Sequence, residues 1–89
     1  MTNTQTDSLD LTFEAYRRAR LEGYSITCAL LDSALEAGTP LSDAVRDQLT
    51  LEPIHIAPWH SSPLAVYACR DGMRIAALEY FWNRTHEIQ

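Results

Sequence analysis

Eighty-nine residues carry seven basic and twelve acidic side chains, for a formal net charge of −5, and 46% of the chain is hydrophobic. All seven bases are arginine, which excludes Schiff-base chemistry and a Walker-type phosphate lysine. The length predicts one domain, the hydrophobic content argues against disorder throughout, and no stretch approaches the roughly 20 apolar residues of a bilayer-spanning helix. The start, MTNTQTDSLD, lacks the basic-then-apolar layout of a signal peptide, so a cytoplasmic protein is expected.

Residues 1–8 read as a flexible tail ahead of a single small globular domain over 9–89. Leu9, Phe13 and Tyr16 recur at helical spacing and predict a first helix over about 9–22, with Gly23 placed to stop it. A second helix is expected over about 25–37, apolar over most of its circumference through Ile26, Cys28, Leu30, Leu31 and Leu35. Gly38-Thr39-Pro40 ends it and starts a third helix over about 40–50, with Leu41, Ala44, Val45 and Leu49 inward. Turns this short force consecutive helices to pack as neighbours.

Pro53, Pro58 and Pro63 argue against helix in the next stretch, where Ile54-His55-Ile56 reads as a short strand. Residues 64–85 admit two readings. Asp71-Gly72 is a type I′ hairpin signal, whereas Ser62-Pro63 is a helix start and the alanines beyond it favour helix. A helix would carry Gly72 mid-span at about 1 kcal/mol. The hairpin is preferred. The expected fold is therefore α+β, three short helices followed by a small antiparallel sheet, with an all-α bundle of four or five helices as the alternative.

The junction between the second and third helices resembles a helix-turn-helix in spacing, but the third helix presents Asp43 and Asp47 against Arg46. Such a face suits phosphate poorly, which argues against nucleic acid as partner. Arg17, Arg18 and Arg20 form the one basic cluster, and Glu14 and Glu22 lie four residues either side of Arg18, as in a solvated ion-pair ladder. Cys28, Cys69, His55, His60 and His86 lack the tight paired spacing of a zinc site, and no third group orients a Cys–His pair. No cofactor, metal site or catalytic residue is assigned, and an enzyme is not expected.

Surface aromatics and arginines remain. Trp59, His60, Arg74, Tyr80, Trp82 and Arg84 form a candidate protein-binding patch, because Trp, Tyr and Arg dominate interface hot spots. Trp82 and Phe81 would point to opposite faces of a strand, leaving one of them outside the core. The expected function is a non-catalytic protein-binding module: an adaptor, inhibitor or regulatory accessory protein docking on a larger protein. A small helix-turn-helix regulator is the alternative, and a metal- or thiol-dependent enzyme ranks third. The net charge biases the module towards a partner with a basic surface, and a homodimer is an open option for so small a core. Residues 1–45 hold three arginines against seven acids and residues 46–89 four against five, so the acidity belongs to the first half.

Overall fold

A 33-residue helix, α1 (Thr4–Glu36), dominates the architecture; at 1.5 Å per residue it is about 50 Å long, close to the 56 Å longest dimension of the chain. The structure is a computed structural model that describes residues 4–56 and 62–86, with side-chain surroundings from Phe13 onward. Three further helices follow: α2 (Leu41–Thr50), α3 (Pro53–Ile56) and α4 (Pro63–His86). No strand occurs among the described residues. The expected α+β fold with a hairpin at Asp71-Gly72 is thus corrected to the all-helical alternative, and Ile54-His55-Ile56 belongs to a short helix rather than a strand.

The turns follow local chemistry. Gly38 adopts φ 94°, its N–H donates to the Leu35 carbonyl at 3.0 Å, and the Thr39 N–H donates to the Ala34 carbonyl at 2.9 Å. This is a Schellman closure, and glycine reaches the left-handed region without the Cβ penalty. Pro40 is the N-cap of α2, and its carbonyl accepts from the Ala44 N–H. Ser62 does the same for α4 through the Val66 N–H, with Pro63 at the first helical position, where its missing N–H costs nothing.

Residue pairing fixes the directions. Arg20 lies beside Asp71, while Asp32 lies beside Tyr80 and Arg84, so α1 and α4 run parallel. The chain returns between them along α2. There Thr27 donates to Gln48 at 3.2 Å, and Leu31 packs with Ala44, Val45 and Ala77, so α2 runs antiparallel to α1. Leu51 and Ile56, flanking and ending the α3 segment, cover Cys69 and Met73. Arg70 holds this corner through Glu52, with a nitrogen–oxygen separation of 2.7 Å.

Gly23 and Gly72 account for the two departures from the expected elements. Both are buried inside continuous helices at the α1–α4 crossing. A Cβ on Gly23 would stand 2.9 Å from the Cys69 carbonyl carbon, and one on Gly72 would stand 2.9 Å from that of Arg20. Each glycine lets the other helix's backbone approach, so neither stops a helix nor turns a hairpin. The two expected helices 9–22 and 25–37 are therefore one.

Candidate functional site

The core is built from small side chains and the surface from large ones. Ala19, Ala44, Ala68, Ala76 and Ala77 are buried with Gly23 and Gly72, and the larger apolar side chains fully inside are few, Leu31 and Met73 among them. Outside stand Phe13, Leu21, Ile54, Tyr67, Leu78 and Trp82, each more than half exposed. A close backbone crossing excludes large residues from its seam, which displaces them to the outer arcs of the helices.

A groove of about 330 Å³ runs along the α1–α4 seam on the side away from α2. Its walls are Arg17, Arg20, Leu21 and Tyr24 from α1, and Ile75 and Glu79 from α4, with Gly72 at the base. Two polar contacts brace it: Arg20 pairs with Asp71 at 3.3 Å, and the Tyr24 hydroxyl donates to Glu79 at 2.7 Å. That hydrogen bond to a carboxylate, followed by burial, raises the Tyr24 pKa above its ordinary 10.0. Trp82 lies seven residues, two helical turns, beyond Ile75 on the same face, and its ring stacks on His86 at 3.7 Å between centroids.

The expected aromatic–arginine patch is divided by the helix. Tyr80 is half buried against the Leu31–Val45–Ala77 cluster, and its hydroxyl donates to Asp32. Arg84 donates to the Tyr80 oxygen at 2.9 Å, and its guanidinium sits 5.0 Å from the Tyr80 ring centroid. These two residues tie the C-terminal part of α4 to α1. Trp82 lies on another side of α4, 62% exposed, and Arg74 faces solvent. Phe81 and Trp82, a helical step apart, are both exposed rather than on opposite strand faces. Trp59 and His60 lie outside the described residues. The groove residues Leu21, Tyr24, Ile75 and Glu79 were not singled out by sequence. The signal that marks them is the four-residue spacing of small residues in both helices, Ala19-Gly23-Thr27 and Ala68-Gly72-Ala76.

The thiols are placed for packing. Cys69 is fully buried and Cys28 partly so; burial pushes both thiols above their ordinary 9.0, reinforced by Asp32 and Glu79 near Cys28 and by Glu22 near Cys69. Such thiols hold their protons at neutral pH and are poor nucleophiles. Among the described residues, no three His, Cys, Asp or Glu side chains gather as metal ligands would. On α2, the guanidinium of Arg46 is engaged by Asp43 of the same helix. No helix among the described residues is long and apolar enough to cross a membrane.

No protein-family model, curated protein or solved structure matches this chain.

Proposed function

We propose that this chain is a small non-catalytic protein-binding module that receives an amphipathic helix of a larger protein in the α1–α4 groove. The observation that carries this reading is the groove itself, a preformed apolar trough with Leu21 and Ile75 as walls and the largely exposed indole of Trp82 beyond it. A helix laid in such a trough inserts side chains at i, i+3 and i+4, and a Leu- or Phe-sized anchor fits the available volume. Tryptophan at the edge of an apolar trough supplies large contact area at low entropic cost.

Charge selects the partner. Six of the seven arginines (Arg17, Arg18, Arg20, Arg46, Arg70 and Arg84) are paired with carboxylates of this chain, so the net −5 is expressed as surplus acid. A partner whose outward helix face is basic gains in rate and specificity from that field. The role is that of an adaptor, inhibitor or regulatory accessory protein.

The test compares proteins retained from the host lysate by the wild-type chain and by two variants, Leu21→Arg and Trp82→Ala. Both positions are exposed, so the variants are expected to keep the wild-type helical circular dichroism and lose the retained partner. If folded Leu21→Arg retains the same protein as the wild type, the groove is not the docking surface.

A further inference from the structure

The outer face of α4 carries a second apolar stripe, separate from the groove walls. Leu64, Tyr67, Asp71, Arg74, Leu78, Phe81 and Thr85 are spaced alternately three and four residues apart. That is the seven-residue repeat of a coiled-coil seam, with Leu64, Asp71, Leu78 and Thr85 at one set of positions and Tyr67, Arg74 and Phe81 at the other. The stripe lies opposite the buried row Ala68-Cys69-Gly72-Met73-Ala76, and its Asp71 reaches back to Arg20 of α1. Tyr67 is 61% and Leu78 58% exposed.

The stripe is complementary to itself when reversed. Laid antiparallel about a point between Gly72 and Met73, residue i meets the residue whose number brings the sum to 145. Leu64 then meets Phe81 of the copy, Tyr67 meets Leu78, and Asp71 meets Arg74, each twice. Apolar meets apolar in the outer layers, and opposite charges meet in the central one. Arg74 is the arginine that forms no ion pair among the described residues, and Asp71 uses only one carboxylate oxygen on Arg20. A polar layer in an apolar seam is the feature that sets register and direction in paired helices. A shift of register by one heptad in either direction would place Asp71 against tyrosine or phenylalanine and Arg74 against leucine.

Leu64, Tyr67, Leu78 and Phe81 are each at least 39% exposed, so the apolar layers of the stripe stand open to a second copy.

We infer that α4 pairs with α4 of a second copy of this chain, antiparallel about a twofold axis between Gly72 and Met73, with Asp71 and Arg74 forming two reciprocal ion pairs across it. The Leu21 wall of the groove lies on α1, off this seam, so the homodimer can present two grooves.

Sedimentation velocity tests the inference with full-length chains. The wild type is expected to approach twice the 10.1 kDa chain mass as concentration rises. Arg74→Asp and Asp71→Arg each place like charges across the axis, so each alone is expected to dissociate at least about tenfold more readily. An equimolar mixture of the two restores both attractive pairs and is expected to form a heterodimer at wild-type concentrations. Leu78→Arg is expected to be monomeric with unchanged circular dichroism. A monomeric wild type overturns the inference, as does a folded Arg74→Asp chain that dimerises like the wild type or a mixture that stays monomeric. A monomeric wild type whose lysate partner is still lost on Leu21→Arg would sink the dimer alone and leave the docking groove standing.

Discussion

Gly72 lies so close to the Arg20 carbonyl that a Cβ would stand 2.9 Å from the carbonyl carbon and 3.1 Å from the Tyr24 nitrogen. The obstructing atoms are backbone of α1 and cannot rotate away. Alanine is about 1 kcal/mol better than glycine inside a helix, but the overlap forces the helices apart. Gly72→Ala is therefore expected to lower stability by about 1–3 kcal/mol rather than raise it. Gly23→Ala, facing Cys69, is expected to behave alike. Urea unfolding followed at 222 nm measures both, and a stabilised Gly72→Ala chain would contradict the crossing.

Gly38 offers the opposite case. Nothing lies within 4 Å of a Cβ there, yet φ is 94°. Gly38→Ala is expected to cost about 1–2 kcal/mol through the left-handed backbone alone, and Gly38→Asn less. The same unfolding measurement ranks the three chains.

Stability is expected to fall in alkali. The folded state raises the pKa of Tyr24, chiefly through its hydrogen bond to Glu79, and that of Tyr80, chiefly through burial, then its bond to Asp32. The folded chain holds these phenol protons more tightly than the unfolded one. The stabilisation is complete below the ordinary value of 10.0 and lost as pH rises through the folded values. Cys28 and Cys69 contribute with the same sign from 9.0 upwards. Urea midpoints on Tyr24→Phe should fall less steeply with alkaline pH than those of the wild type.

Thiol accessibility reports packing. In the native chain Cys69, fully buried, is expected to react with a disulfide reagent only as the chain unfolds, at least about a hundredfold more slowly than a free thiol. Cys28, half buried, is expected to react at an intermediate rate. Equal and rapid labelling of both in the absence of denaturant would show that Leu51 and Ile56 do not cover Cys69.

Local structure was legible where it depends on neighbours in the chain. The Gly38 closure and α2 close to 40–50 rest on backbone groups within a few residues of one another, and so does the Ser62-Pro63 start of α4, a signal that was outweighed by the hairpin reading of Asp71-Gly72. Gly23 and Gly72 were read for their intrinsic conformational cost, as a helix stop and a hairpin turn. Their role is set by Cys69 and Arg20, some 50 residues away along the chain. The candidate site divides in the same way. Trp82 and Arg74 are exposed, as a surface patch requires, but a pattern cannot show that Tyr80 and Arg84 turn inward to Asp32.

By itself the sequence determined a small, acidic, lysine-free helical first half and its turn at Gly38. Only the tertiary structure decided that α1 and α4 run parallel and continuous through their glycines. The physical reason is that a glycine's cost is local, whereas its benefit, the approach of another backbone, exists only after distant segments have met.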